Sequence, residues 1–146
     1  MTNVSRISPF LSVATQLDEA AVAAAAAQGF RAIVNNRPDG EGDDQPAGAT
    51  LAAAAERLGL DYRHVPVVPG RVTDDDVAAF ERALAELKGP VLAFCRTGTR
   101  STTLWALAEA ERLHPDAVLA SAHDAGFDLD AMRPRLEARW QSAKAA

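Results

Sequence analysis

The only cysteine of this sequence, Cys95, begins the segment CRTGTRS, in which it is followed by two arginines, a glycine and three hydroxyl residues. The thiolate is the nucleophilic form of cysteine, and nearby cations or a helix N-terminus favour that form. Arg100 carries a planar guanidinium that can hold an oxyanion through two parallel hydrogen bonds, which a lysine cannot do. The segment 95–101, which we call the cysteine loop, is therefore predicted to bind an anionic substrate that Cys95 attacks.

The residues on either side of the cysteine loop predict that it joins a buried strand to a helix. Residues 91–94 are four apolar residues in succession, a pattern typical of a central strand covered on both faces. A helix is predicted from about Ser101 to Leu113, so several backbone N–H groups would point to one place beside the positive end of its dipole. Ligands of open α/β sheets bind at the carboxyl ends of strands. We therefore expect an ionised Cys95 thiol that faces solvent.

An alternative interpretation of Cys95 is a small, inert, buried hydrophobe, which is the usual environment of a free cysteine. The neighbouring cations Arg96 and Arg100 favour the reactive thiol over this alternative. Gly98 also favours it, because glycine tolerates the positive φ and the close backbone approach that a curled loop requires.

The composition of the chain narrows the classes of protein to which it can belong. Its 146 residues match one globular domain, and 48% of them are hydrophobic and 24% charged. A net charge of −5 argues against a nucleic-acid partner. No apolar run approaches the roughly 20 residues of a membrane span, and the short alanine-rich stretch 20–27 is not typical of a signal peptide. One cysteine and three scattered histidines predict neither a disulfide nor a metal site, and we expect a cytoplasmic protein without a cofactor.

Strand-like and helix-like segments alternate along the chain, separated by residues that favour turns. This alternation predicts an α/β domain over residues 1–146, with a largely parallel sheet. The predicted strands are 11–13, 31–35, 61–68 and 91–94, and the predicted helices are 17–28, 50–58, 74–88, 101–113, 116–124 and 129–143. Residues 36–48 are predicted to form a long polar loop.

Two segments outside the cysteine loop carry a family resemblance. VNNRPDGE at 34–41 and HVPV at 64–67, together with the order of elements, are similar to the phosphatase-like domain of β-lactamase hydrolase-like proteins. The resemblance covers about residues 7–130. It implies a dual-specificity or tyrosine phosphatase-like fold, with a central, mostly parallel sheet of four to five strands flanked by helices.

The cysteine loop itself resembles a second class of enzymes. Tyrosine and dual-specificity phosphatases carry five residues between cysteine and arginine, usually with histidine before the cysteine. Rhodanese-type sulfurtransferases often carry C-R-x-G-x-R-S, with four residues between the two. This sequence has four residues between Cys95 and Arg100, and Phe94 precedes the cysteine. The loop is therefore rhodanese-like, and members of the β-lactamase hydrolase-like family are also described as sulfur transferases.

Phosphate and sulfur chemistry differ in their need for a general acid. A phosphatase needs a carboxylic acid to protonate the leaving alkoxide, and the phosphatase resemblance places it after strand 61–68, where this sequence has VPGR. The acids Asp74, Asp75 and Asp76 follow Thr73 in the pattern of a helix N-terminus, which is favoured over an acid role. Sulfite or a thiolate leaves as a stable anion, so sulfur transfer needs no acid.

We therefore predict a sulfurtransferase that forms a Cys95 persulfide from thiosulfate or a low-molecular-weight persulfide. The alternatives are a tyrosine or dual-specificity-type phosphatase acting through a phosphocysteine, and a non-catalytic module that binds anions. The expected ligand is a sulfane-sulfur donor or a phosphoester, and fused relatives imply a persulfide-dioxygenase-like metallohydrolase as a partner.

The phosphatase resemblance also implies that Ser101 donates a hydrogen bond to the thiolate. For Arg37, which follows a predicted strand, a role in the pocket and a surface salt bridge to Asp39 or Glu41 stay open. The candidate catalytic residues are Cys95, Arg100 and Ser101, and the candidate substrate-binding residues are Arg96, Thr97, Gly98, Thr99 and Arg37.

Overall fold

The computed structural model describes residues 2–146, which form one five-stranded sheet with helices on both of its faces. The strands are β1 (Val4–Arg6), β2 (Leu11–Ala14), β3 (Ala32–Asn35), β4 (Asp61–His64) and β5 (Val91–Phe94). The helices are α1 (Glu19–Ala27), α2 (Gly48–Arg57), α3 (Asp74–Glu86), α4 (Thr99–Glu109), α5 (Pro115–Asp124) and α6 (Arg133–Ala145), with a 3-10 turn at Asp130–Met132. The strand order is β1-β2-β5-β3-β4, and only the β1–β2 pair is antiparallel. The predicted α/β class with a mostly parallel sheet is confirmed.

Strand β5 lies at the centre of the sheet, between β2 and β3, and all four of its residues are buried. Its side chains alternate between the two faces, as the geometry of a strand requires. Val91 and Ala93 pack into the core beneath α3, α4, α5 and α6, whereas Leu92 and Phe94 pack against α1 and α2. The apolar run therefore forms the predicted strand covered on both faces, and its carboxyl end delivers Cys95.

Several element boundaries differ from those expected. β4 ends at His64, four residues before the predicted end, and lies at the sheet edge. Pro66 is tolerated there because the N–H groups on either side of it, those of Val65 and Val67, are the ones that donate to Asn35 and Asn36. α4 begins at Thr99, two residues before the predicted start. The antiparallel edge strand β1 was not expected, since its short sequence VSR carries no hydrophobic alternation.

Within residues 2–146, no helix combines the length and the apolar character that crossing a membrane requires.

Candidate active site

The cysteine loop turns from β5 into α4 and curls over the Cys95 sulfur. The backbone N–H of Gly98 donates a hydrogen bond to Cys95 Sγ at 3.1 Å. Cys95 is 0% exposed, while Arg96, Thr97 and Thr99 lie at the surface. The expected thiol facing solvent is therefore wrong: the sulfur lies beneath the loop, with an amide directed at it. The loop thus brings the sulfur to the N-terminus of α4, where a backbone amide donates to it.

Gly98 is the residue that makes this curl possible. It is the N-cap of α4, with φ of +90° in the left-handed region, which glycine adopts without steric strain. A Cβ at this position would meet Phe127 Cζ at 2.9 Å, well inside van der Waals contact. The Gly98 carbonyl also accepts a hydrogen bond from Thr102 Oγ1 at 2.8 Å. Backbone conformation and the close approach of Phe127 together restrict this position to glycine.

Gly98→Ala should therefore lower both stability and activity. We expect a loss of about 3 kcal/mol in the free energy of unfolding, from the left-handed backbone and from the overpacking against Phe127. Gly29→Ala is the matched control, because Gly29 has a similar φ of +95° but open space around its Cβ. It should cost about 1 kcal/mol. Denaturant titration of the two variants measures the difference, and equal losses would contradict the close contact with Phe127.

Arg100 lies in the first turn of α4 and directs its guanidinium toward the carboxylate of Glu41. Nη1 donates to Glu41 Oε2 at 2.7 Å and Nη2 donates to Oε1 at 2.9 Å, a bidentate pair, and Nη1 also donates to the Val67 carbonyl at 3.0 Å. Burial alone would lower the pKa of Arg100, but the hydrogen bonds and negative charges of Glu41 and Cys95 raise it overall. Arg100 is thus a permanent cation next to the sulfur.

Arg37 forms the salt bridge to Glu41 that was one of its alternatives, but at a buried position and not at the surface, and its role in binding an anion stays a prediction. Its Nε pairs with Glu41 Oε1 at 2.9 Å, and its side chain also lines the cavity next to the cysteine loop. Nη1 donates to Gln16 Oε1 at 2.9 Å, so the guanidinium is held from two sides. Asp39 is not its partner, because the Asp39 carboxylate accepts from the N–H of Gly48 at the start of α2.

Ser101 does not make the bond that the phosphatase resemblance implied. Its hydroxyl donates to Asn36 Oδ1 at 2.7 Å, and both residues are fully buried. Asn36 in turn donates from Nδ2 to the Val65 carbonyl at 2.9 Å. The hydroxyl of Ser101 donates its only proton to Asn36. These two hydrogen bonds therefore connect the start of α4 to the segments that follow β3 and β4.

A cavity of about 550 Å³ opens beside the cysteine loop. It is lined by Arg37, Glu41, Pro69, Gly70, Arg96, Thr97, Thr99 and Arg100. Three of these residues are arginines, and within residues 2–146 Glu41 is the only carboxylate among the lining residues. Trp105 packs into the core. The cavity thus offers an anionic ligand several cations and the exposed residues of the loop.

The three acids Asp74, Asp75 and Asp76 form the first turn of α3. Asp76 and Thr73 form a reciprocal capping box, with Asp76 N–H donating to Thr73 Oγ1 at 3.0 Å and Thr73 N–H to Asp76 Oδ2 at 2.9 Å. Asp74 pairs with Arg135 at 3.0 Å, and this hydrogen bond lowers the Asp74 pKa. The helix-capping interpretation is confirmed.

Sequence reasoning missed two members of the site. Glu41 was considered only as a salt-bridge partner of Arg37, whereas its carboxylate joins Arg37 to Arg100. The hydrogen bond from Arg100 lowers the pKa of Glu41, and Arg37 adds to this against the opposing effect of burial. Gln16 was not considered at all. The separation of four positions from Arg37 to Glu41, with three residues between them, was the only signal in the sequence.

Comparison with known sequences identifies relatives of the chain. The family described as beta-lactamase hydrolase-like protein, phosphatase-like domain, matches residues 3–112. A beta-lactamase hydrolase-like protein of Xylella fastidiosa is 46% identical over 106 residues, which are 71% of this chain and 25% of the relative. The protein of the same name from Agrobacterium fabrum is 40% identical over 134 residues, 90% of this chain and 31% of the relative. The chain thus spans less than a third of these relatives.

Comparison with solved structures finds the same architecture in phosphatases. A Neisseria meningitidis protein with a provisional phosphatase assignment superposes with a TM-score of 0.84 and 32% identity, covering 92% of this chain and 96% of its own. Kinase-associated phosphatase, solved with serine in place of its catalytic cysteine, has a TM-score of 0.75 at 15% identity, with 99% and 97% coverage. The second comparison shows the fold alone, which is a dual-specificity or tyrosine phosphatase fold.

Proposed function

Because this chain belongs to the family of phosphatase-like domains of β-lactamase hydrolase-like proteins, we propose that it is a cysteine-dependent phosphatase whose nucleophile is Cys95. The observation that carries the proposal is the bond of 3.1 Å from the Gly98 N–H to Cys95 Sγ, within a loop that also delivers Arg100. The chain has a phosphatase-like enzyme fold, which supports a hydrolase. The proposed substrate is a phosphomonoester bound in the cavity beside the loop.

The proposed reaction has two steps at the sulfur. The Cys95 thiolate attacks phosphorus, the bond from phosphorus to the ester oxygen breaks, and the alcohol leaves with the electron pair of that bond. Water then attacks the phosphocysteine, releasing inorganic phosphate and the thiolate. Backbone N–H groups of the loop and the guanidinium of Arg100 would stabilise the phosphoryl oxygens, where charge develops in both transition states. Arg96, Thr97 and Thr99, which line the cavity, would contact the bound substrate.

The residues that line the cavity limit the leaving group to alcohols of low pKa. Its carboxylate, Glu41, is paired with two arginines and its pKa is lowered, so it does not carry a proton to donate near neutral pH. Without a general acid the alcohol must leave as an anion, which favours phenols over alkanols. We expect kcat/KM to fall steeply as the pKa of the leaving alcohol rises, with alkyl phosphates at least about a hundredfold slower than aryl phosphates. A series of substituted phenyl phosphates measures this slope.

A matched variant tests whether an acid in the first turn of α3 donates a proton to the leaving alcohol. Asp75 is exposed at the start of α3, so Asp75→Asn changes the charge without disturbing the capping box formed by Asp76. Its kcat/KM should stay within about twofold of the parent for every phenol in the series, since removing a true general acid removes about a hundredfold or more. A selective loss on the least acidic phenols would assign Asp75 the acid role.

Sulfur transfer is a second candidate, favoured by the spacing of four residues between Cys95 and Arg100 and by the lack of a general acid. In this reaction the Cys95 thiolate attacks the outer sulfur of thiosulfate, the sulfur–sulfur bond breaks and sulfite leaves. The resulting persulfide then passes its outer sulfur to cyanide or to another thiol. Sulfite leaves as a stable anion in the first step and the Cys95 thiolate does so in the second, so the acid that a phosphatase uses is not needed.

Intact-mass measurement distinguishes the candidates. The parent and Cys95→Ser are incubated separately with phenyl phosphate, thiosulfate and glutathione persulfide. Turnover of phenyl phosphate without a sulfur adduct supports the phosphatase, and one added sulfur atom on the parent alone supports the sulfurtransferase. Inactivity in all assays, with retained sulfate binding, would contradict both and favour an anion-binding module.

We also propose a cellular compartment and a protein partner. A free catalytic thiol persists in a reducing compartment, so we propose a cytoplasmic location. The relatives are about three to four times longer than the segment they share with this chain, since that segment makes up 25% of one and 31% of another. We propose, as the family resemblance implies, a persulfide-dioxygenase-like metallohydrolase as the protein partner.

A further inference from the structure

The Glu41 carboxylate occupies the part of Arg100 that recognises oxyanions. Both of its oxygens accept from the terminal nitrogens of Arg100, Oε2 at 2.7 Å and Oε1 at 2.9 Å. Two parallel hydrogen bonds of this kind are how a guanidinium binds a phosphate or another planar pair of oxygens. Nη1 has a further acceptor in the Val67 carbonyl at 3.0 Å. Both terminal nitrogens of Arg100 are thus engaged before any substrate arrives.

We propose that Glu41 is an internal competitor of the substrate: it holds Arg100 in the free protein, and an entering oxyanion must displace it. This inference rests on the proposed function, because it concerns the same anion site. Glu41 then sets specificity as well as affinity. A ligand that carries two negative charges on tetrahedral oxygens displaces the carboxylate, whereas a monocarboxylate offers Arg100 no more than Glu41 already does.

Glu41 is placed so that it can leave Arg100 without losing its charge partner. Its Oε1 also accepts from Arg37 Nε at 2.9 Å, and Arg37 is anchored separately by Gln16. After displacement the carboxylate can stay paired with Arg37. The side chain of Glu41 is 20% exposed, so the released carboxylate borders solvent and avoids the large penalty of an isolated buried charge.

The backbone around Glu41 is held by bonds within its own loop. The N–H of Gly48 donates to Asp39 Oδ1 at 2.8 Å, two residues before Glu41. The N–H of Glu41 donates to Gln45 Oε1 at 2.9 Å, and Gln45 Nε2 donates to the Pro38 carbonyl at 2.8 Å. Displacement therefore requires only that the Glu41 side chain turn away from Arg100 while its backbone stays in place.

Sulfate binding measures the competition without turnover. Isothermal titration is carried out at constant low ionic strength on Cys95→Ser and on Cys95→Ser with Glu41→Gln, because sulfate keeps its charge of −2 over the working pH range. Removing the competing carboxylate should tighten sulfate binding by about tenfold, since a repulsive charge near the bound anion also disappears. Cys95→Ser with Asp43→Asn is the control, which removes one charge from the same loop at an exposed position. It should change affinity by less than about twofold.

The possible outcomes of the sulfate titrations separate this inference from the proposed function. If Cys95→Ser binds sulfate and the protein with the added Glu41→Gln binds it no more tightly, the competition is overturned and the proposed function is left standing. Absence of sulfate binding in all three proteins would overturn the proposed function together with this inference. A crystal of Cys95→Ser with sulfate gives an independent readout that does not depend on the stability of a Glu41 variant. We expect sulfate on Arg100 with Glu41 moved away, and sulfate bound beside two intact bonds from Arg100 to Glu41 would overturn the proposal.

Discussion

Cys95→Ser should reduce turnover of phenyl phosphate by about four orders of magnitude or more, because a serine hydroxyl at this position is not ionised and attacks phosphorus far more slowly than a thiolate. The substitution changes one atom in a fully buried side chain, so the fold should be retained. Oxygen can still accept the hydrogen bond from the Gly98 N–H, although the distance of 3.1 Å is set for sulfur. Steady-state kinetics at saturating substrate measures the loss.

Two controls separate loss of the nucleophile from loss of the site. Thermal unfolding should show that Cys95→Ser melts within a few degrees of the parent, and sulfate should still bind. Ser101→Ala removes the hydroxyl that donates to Asn36 at 2.7 Å and should affect stability more than turnover, because that hydroxyl lies in the packing between α4 and the end of β3. A Cys95→Ser protein with a tenth of the parental activity would contradict nucleophilic attack by sulfur.

Arg100→Lys should have the second largest effect, a loss of about 100- to 1,000-fold in kcat/KM. Lysine keeps the positive charge but lacks the planar fork, so it cannot bind two phosphoryl oxygens in parallel. It also cannot bridge the Val67 carbonyl and the two oxygens of Glu41 as Arg100 does. Much of the loss should appear in kcat, since the oxygens carry more charge in the transition state than in the bound substrate.

The matched control is Arg96→Lys. Arg96 also lines the cavity, but it is exposed on the loop and its substitution should cost less than about tenfold, mainly through KM. Comparable losses in kcat for the two variants would contradict the distinction between a group that stabilises the transition state and one that attracts the substrate.

The central elements of the fold follow from local patterns in the sequence. Four apolar residues at 91–94 predict a strand covered on both faces, and the structure places this strand in the middle of the sheet. Thr73 followed by Asp76 predicts a helix start, because each residue can satisfy a backbone N–H of the other. These signals are local and strong, so they survive tertiary context.

The elements that were missed or misplaced depend on partners distant in sequence. β1 has little hydrophobic content and exists because it pairs with β2, from Val4 beside Ala14 to Arg6 beside Ser12. The start of α4 shifted to Thr99 because Gly98 turns in the left-handed region against Phe127, which is remote along the chain. A pattern of residue types does not reveal either contact.

The candidate site likewise contains residues that the sequence predicts and contacts that it does not reveal. Cys95, Gly98 and Arg100 could be predicted because they lie within six residues at a turn from strand to helix. The bonds from Arg100 to Glu41 join residues that are 59 positions apart, so no local pattern indicates them. The burial of Cys95 was missed for a related reason, since the sequence cannot show how closely the curled loop covers the sulfur.

The chemistry was the least predictable part. The loop spacing favoured sulfur transfer, whereas the family match and the solved structures favour a phosphatase-like enzyme. The two reactions share the nucleophile, the arginine and the amides, and they differ in what leaves the sulfur or phosphorus atom. Sulfur transfer therefore stays a prediction, tested by the same assays as phosphoester hydrolysis.

The covalent state of Cys95 during turnover tests the central claim most directly. The protein is mixed with phenyl phosphate, quenched in denaturant within the first turnover, and digested for peptide mass spectrometry. We expect a phosphoryl group on the peptide that contains Cys95, at the sulfur, which disappears as inorganic phosphate is released. Phenol release with Cys95 unmodified throughout, or a phosphoryl group on another residue, would contradict the assignment of Cys95 as the nucleophile.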